Sequence, residues 1–357
     1  MRALVIAPQW IGDAVMTEPL LRRLAARGEA LSVAALPWVA PVYRAMPQVA
    51  EVIELPFAHG GLQWQARRRV ARQIEGRFDV AYVLPNSMKS ALLPLLAGIP
   101  KRVGYLGEAR VGVLTHRLKN PAHRDGEDKP PVVAHYSALS GEPGVEADRP
   151  QLQLPADTLQ AALSQQQLRA NSYTVFAPGA EFGPAKRWPA RHFAALAARL
   201  DHPVLLLGSA KEAALCEEIA QAAQAARAGR RAQHQDPSGP ESAEPSDSAC
   251  RNLAGQTSLI DALALISQAR SVVSNDSGLM HVAAAFGVPQ VAVFGSSSPN
   301  HTPPLSDRAR VLWLKDDPAY QPPLDCAPCF ERECPLGHTR CLNDISPERV
   351  AQALATC

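Results

Sequence analysis

The chain has 357 residues, 46% of them hydrophobic and 20% charged, with no apolar run long enough to span a bilayer, so a soluble protein of two domains is expected and a membrane-spanning one is excluded. The opening segment Met1–Pro8 carries one positive charge and an apolar run of five residues, too short for a signal-peptide core, which predicts a cytoplasmic protein whose first strand starts almost at once. The net charge of +2 hides an asymmetry: residues 1–120 hold 16 Lys and Arg against 8 Asp and Glu, about +8, leaving about −6 for the rest, so the first half suits an acidic partner such as a phosphorylated lipid, a membrane surface or nucleic acid.

Short β-prone runs at Leu4–Ala7, Leu31–Ala35, Val52–Leu55 and Val80–Leu84 alternate with helical spacing at Thr17–Arg27 and Leu62–Glu75. A loop-rich stretch follows from about Asn120 to Pro150, then a helix over Thr158–Ala170, near which the domain boundary is expected. The strand pattern restarts at Thr174–Ala177, Val204–Leu207, Val272–Val273 and Val291–Phe294. Residues 229–249, dominated by Pro, Ser, Asp and Glu over their second half, cannot bury a core and predict a disordered surface insertion. Strand and helix in alternation imply parallel sheets covered on both faces, and the restart implies an α/β protein of two Rossmann-like domains, 1–155 and 156–357.

The most informative segment is Ser274-Asn275-Asp276-Ser277-Gly278-Leu279-Met280-His281, which closes an apolar strand and opens a helix. In an open α/β sheet that turn lies at the carboxyl edge of the strands, where free N–H groups and the helix dipole favour an anion; we read it as a diphosphate pocket. Helix capping alone accounts for the short polar residues but not for His281 beside them. A second turn, Gln9-Trp10-Ile11-Gly12-Asp13, follows the first strand and brings Asp13 to the edge of the other sheet. Neither half contains a G-x-G-x-x-G or Walker loop, which disfavours nicotinamide, flavin and P-loop chemistry. A carboxylate at corresponding strand ends of two domains suggests a general base on one and an activated donor on the other, the division of labour of sugar transfer.

Three separated stretches carry a resemblance. Pro178-Gly179-Ala180-Glu181-Phe182-Gly183-Pro184-Ala185-Lys186-Arg187-Trp188-Pro189, Asn275 to Ala283, and Tyr82-Val83-Leu84-Pro85-Asn86-Ser87-Met88-Lys89-Ser90-Ala91 resemble glycosyltransferase family nine, the likeness running from Met1 to about Leu314. The resemblance implies a GT-B fold, with two parallel sheets facing across a cleft, and inverting transfer of heptose from ADP-heptose to the first heptose of a Kdo-lipid A acceptor in lipopolysaccharide core synthesis. It implies that Asp13 is the base, that Lys186, Asp276, Ser277, Gly278 and His281 hold the donor, and that Glu212 bonds its ribose, an exposed helical glutamate being the plainer reading of Glu212. Asn86, Ser87 and Lys89 are expected on the acceptor side, with Arg67, Arg68, Arg69 and Arg72 helping at the inner face of the cytoplasmic membrane. Nucleic acid is not expected as a partner. Within the family, Glu181-Phe182 stands where one branch carries a polar Thr pair, which speaks for the branch that adds the second heptose. An epimerase of nucleotide sugars and a non-catalytic nucleotide-binding protein remain the rival readings.

No metal is required by this scheme, since Lys186 and the N–H groups of the Asp276–His281 turn face the charge that develops on the leaving ADP. The departure from the family is Cys326-x2-Cys329-x4-Cys334-x6-Cys341, with His338 in the last interval. Reduced thiolates this close suit a structural zinc bracing the C-terminal tail, although the spacing matches no common zinc pattern; packed free thiols and disulfides are the alternatives.

Overall fold

The computed structural model describes residues 1–57, 61–120, 129–142, 149–234 and 249–357. The chain divides into two compact units, Met1–Gln153 and Leu154–Cys357. The first is built on a parallel sheet of β1 (Arg2–Ile6), β2 (Ala30–Ala35), β3 (Val49–Glu54), β4 (Val80–Val83), β5 (Lys101–Tyr105) and β6 (His116–Leu118), in the order β3-β2-β1-β4-β5-β6. The second contains β7 (Thr174–Ala177), β8 (Val204–Leu206), β9 (Cys250–Asn252), β10 (Ser271–Asn275), β11 (Gln290–Val293) and β12 (Ala309–Leu312), in the order β12-β11-β10-β7-β8-β9. Counted from the first strand of each unit, the two orders are the same, the doubly wound order of dinucleotide-binding folds.

Helices cover both faces of the central strands: all four residues of β4, β7 and β11 are buried, as are all five of β10, its polar Ser271, Ser274 and Asn275 included. The first core gathers Leu4, Ile6, Val83, Val70, Ile74 and Leu93; the second gathers Phe176, Phe193, Val273, Val293 and Trp188. In each unit the chain reverses its winding between two adjacent strands, β1 and β4 or β7 and β10. Loops diverge there and leave room for a ligand at the carboxyl edge.

Four strands carry too little apolar sequence to be expected: β5 opens with Lys101-Arg102, β6 is His-Arg-Leu, and β9 and β12 each place an arginine in a short edge strand. The helix expected over 158–170 spans Ala156–Gln166 and stops because Gln167 turns left-handed at φ 55°. The helix Ala213–His234 runs into the segment expected to be an insertion, so residues 229–234 are helical; residues 235–248 lie outside the described part of the chain. Among the described residues no helix is long and apolar enough to cross a membrane.

Candidate active site

In the first unit, Trp10 leaves β1 extended and the short helix Ile11–Met16 begins, with Asp13 in its first turn and half-buried. The hydroxyl of Tyr136, from the helix Val132–Ser137, donates to Asp13 Oδ1 at 3.3 Å. Burial first, and then the neighbouring Asp13 carboxylate, hold the Tyr136 phenol well above its ordinary pKa, so it stays a proton donor to Asp13 throughout the neutral range. Tyr43 lies in the same environment, fully buried, its hydroxyl 3.3 Å from Thr17 Oγ1, while Thr17 donates to the Ala14 carbonyl at 2.6 Å. Tyr136 is 123 positions from Asp13, and nothing in the local sequence pairs them.

Asn86, Ser87 and Lys89 follow β4, the strand beside β1 across the reversal point, so the fold brings them to the edge that holds Asp13. Their side chains have tasks the sequence did not reveal. Asn86 Oδ1 accepts from Arg110 at 3.0 Å, and Arg110, fully buried, also donates to the Pro85 carbonyl at 2.8 Å. Ser87 caps the helix Met88–Leu96, its oxygen accepting the Ser90 N–H at 3.3 Å. Lys89 is half-buried in the first turn of that helix. Arg67, expected at a membrane surface, is instead 8% exposed; it donates to the carbonyls of Leu62 at 2.7 Å and Lys89 at 2.9 Å and stacks 4.4 Å from the Phe57 ring centroid. Only Arg68, Arg69 and Arg72 of that cluster face outward.

In the second unit, the loops after β7 and β10 meet. Asn275, fully buried at the end of β10, donates to the Pro178 carbonyl at 2.6 Å and accepts the Trp188 N–H at 2.9 Å, fastening both ends of the loop that carries Lys186. Lys186 Nζ then reaches Asp276 Oδ2 at 2.5 Å, with side-chain exposures of 18% and 5%. Thr302 donates to the other Asp276 oxygen at 3.2 Å. The helix Gly278–Ala285 starts at Ser277, whose hydroxyl makes no cap bond and has no partner among the described residues. Buried Ser296 and Ser297, just beyond β11, also have unpartnered hydroxyls. His281, buried in the same helix, is pushed down to about 4 by burial, with Asp276 opposing and Lys186 reinforcing the shift; it is a neutral hydrogen-bonding group at neutral pH.

Glu212 reaches the edge from β8. One carboxylate oxygen closes a capping box on Ser209, accepting its N–H at 2.7 Å and hydroxyl at 3.0 Å. The carboxylate lies against Gly179, where a Cβ would sit 1.7 Å from it, so a side chain there would displace the Glu212 carboxylate. Ser277, Gly278, His281, Asp276, Lys186 and Glu212 thus come together at the carboxyl ends of β7, β8 and β10, where one lysine and the N–H groups of a helix start suit a nucleoside diphosphate.

Cys326, Cys329, Cys334 and Cys341 line one small pocket with His338, under Ala185 and Ser296, and all seven cysteines are free. Among the described residues, no three His, Cys, Asp or Glu side chains are arranged to hold a metal ion. Burial and the three neighbouring cysteines push Cys341 up to about 12, whereas Cys334, although burial opposes it, is lowered by N–H donors from Thr339, Leu336, Gly337 and His338.

With this geometry in view, residues 67–340 match the model of glycosyltransferase family 9 (heptosyltransferase). The chain is a member of glycosyltransferase family 9. It is 39% identical to lipopolysaccharide heptosyltransferase 2 of Escherichia coli K12 over 99% of this chain and 97% of that protein. Identity to lipooligosaccharide heptosyltransferase 2 of Haemophilus influenzae is 36%, over 99% and 98%. The solved structure of E. coli ADP-heptose LPS heptosyltransferase II superposes with a TM-score of 0.78 at 38% identity, over all of this chain and 98% of that one. The two doubly wound sheets are therefore the GT-B fold of family 9, as the motifs implied. The motifs around Asn86, Lys186 and Asp276 all fall inside the family 9 match, while Asp13 lies before it and is reached only by the full-length relatives.

Proposed function

We propose that this family 9 enzyme is an inverting heptosyltransferase that moves heptose from ADP-L-glycero-D-manno-heptose to the first heptose of the Kdo-lipid A inner core. The observation that carries the reading is the Lys186–Asp276 pair at the start of the helix that holds neutral His281. Such a group offers a fixed cation and free backbone N–H groups to a diphosphate. Full-length similarity to proteins named heptosyltransferase 2 supports the choice of sugar and acceptor.

In the reaction, the acceptor hydroxyl oxygen attacks the anomeric carbon from the face opposite the diphosphate. The bond from that carbon to the diphosphate oxygen breaks, and its electron pair leaves on ADP. The hydroxyl proton passes to the Asp13 carboxylate, which the Tyr136 hydroxyl orients. Charge accumulates on ADP and is met by Lys186 and the helix N–H groups, so the scheme needs no divalent cation for the chemical step. Exposed Arg68, Arg69 and Arg72 suit anionic lipid head groups and favour a transient contact with the inner face of the cytoplasmic membrane.

The test is ADP release from ADP-heptose, with and without heptosylated Kdo-lipid A, by the protein and by Asp13→Asn. Acceptor-dependent release that drops by about 10²–10⁴-fold in Asp13→Asn, with ADP affinity unchanged, supports the assignment. No release with folded protein and this pair of substrates overturns it. Conversion of the donor without an acceptor would instead indicate an epimerase.

A further inference from the structure

Lys186 and Asp276 form a pair whose charges cancel, and His281 beside them is uncharged at neutral pH. A nucleoside diphosphate brings at least two negative charges, and more develops on it as the sugar leaves, so the site calls for cationic charge beyond this pair. The loop preceding Lys186 adds none: the Glu181 carboxylate is held by Lys211 at 3.0 Å, and Phe182 is apolar yet 39% exposed.

The ring of Phe182 has cations at two places. Lys186 Nζ lies 5.1 Å from its centroid and the Arg332 guanidinium carbon 5.5 Å. Arg332 comes from the cysteine-rich segment, and its backbone is fixed directly on the Lys186 loop. Its carbonyl accepts the Ala185 N–H at 3.1 Å and crowds Gly183 so closely that a Cβ there would stand 2.3 Å from the oxygen. The segment is clamped again one layer down, where the Phe330 N–H donates to the Ser296 carbonyl at 2.7 Å and the Ser296 N–H to that of Ala185 at 3.3 Å. The Arg332 side chain is exposed, and among the described residues it has no carboxylate partner. An exposed, unneutralised guanidinium held over a ring shared with the donor-site lysine has the planar donor fork that phosphate oxygens accept.

We propose that Arg332 is a second diphosphate-binding residue of the donor site, acting with Lys186 from the opposite end of the chain's second unit. Resting on the donor-site reading above, it gives the cysteine-rich segment a role: it presents a cation where the Glu181-Phe182 pair offers no phosphate ligand of its own.

The test is calorimetric binding of ADP, AMP and adenosine to the full-length protein, to Arg332→Met and to Arg332→Lys, with thermal unfolding of each. Arg332→Met is expected to weaken ADP by about tenfold or more, AMP by less and adenosine not at all, with Arg332→Lys retaining part of the ADP affinity. The adenosine arm separates lost phosphate contact from a disturbed fold, and Arg332→Lys keeps the test valid should the Met variant unfold. ADP affinity in Arg332→Met within about twofold of the parent, or an equal loss for ADP and adenosine, overturns the proposal. A parent protein that binds no ADP would overturn the donor-site reading and this proposal with it.

Discussion

Asn275→Ala removes one side chain but opens both ends of the Lys186 loop. Asn275 is fully buried; its amide donates to the Pro178 carbonyl at 2.6 Å and its oxygen accepts the Trp188 N–H at 2.9 Å. Alanine leaves that carbonyl and that N–H without their partners. Trp188 cannot turn to find another partner, because its ring is 1% exposed, packs edge-on against Phe193 at 4.8 Å, and is tied by Nε1–H to the Ile345 carbonyl at 2.9 Å. A stranded buried polar group costs about 1–3 kcal/mol, so two of them, partly relaxed, predict a loss of about 2–4 kcal/mol. Asn275→Asp keeps the acceptor for Trp188 but turns an oxygen toward the Pro178 carbonyl and buries a charge, so it should be at least as unstable. Urea unfolding followed by circular dichroism measures the stability, and calorimetry measures ADP affinity, which should fall because the Lys186–Asp276 pair depends on the loop. A loss below about 0.5 kcal/mol with unchanged ADP affinity would show that these two bonds do not hold the loop and would refute the reasoning.

The other expectations concern protons and thiols. Burial lowers His281 from 6.5 to about 4, so between those values the unfolded chain binds the extra proton; its contribution to stability is full above pH 6.5 and is lost as pH falls toward 4. On the order of 3 kcal/mol of acid sensitivity should therefore disappear in His281→Gln, read as the difference in urea midpoint between pH 7 and pH 4. Tyr136→Phe deletes one hydrogen bond to Asp13 and should reduce turnover by about tenfold at most, far less than Asp13→Asn, with ADP affinity intact; steady-state kinetics on both variants decides it. Among the thiols, Cys334 should be alkylated first by iodoacetamide, since N–H donors lower it and it is partly exposed. Buried Cys216 and Cys250, pushed up to about 12, should react last; peptide mapping by mass spectrometry gives the order.

The sequence by itself determined the α/β class, the repeated strand–helix pattern and the strand-to-helix turn that carries Asp276 and His281. Those signals are local: apolar runs such as Val80–Val83 and Val272–Val273 are buried on both faces, and Asp276, Ser277, Gly278 and His281 lie within six positions on one strand-to-helix turn. Lys186 belongs to a loop with its own motif, which the resemblance to family nine marks out. Short strands such as β6 and β12 were not visible, because an edge strand needs neither a long nor an apolar sequence once its neighbour supplies the hydrogen bonds.

What only the tertiary structure decided are partnerships between segments far apart in the chain. Tyr136 reaches back 123 positions to Asp13, Asn275 ties together Pro178 and Trp188, and Arg332 comes to rest on the loop of Lys186. It also reassigned side chains whose type alone suggested a ligand: buried Arg110 takes Asn86, a helix cap takes Ser87, and Arg67 sinks against Phe57. A charged or polar residue near a strand end has a free group only if no nearer donor or acceptor claims it, and that competition is settled by packing across the sheet edge, not by spacing along the chain.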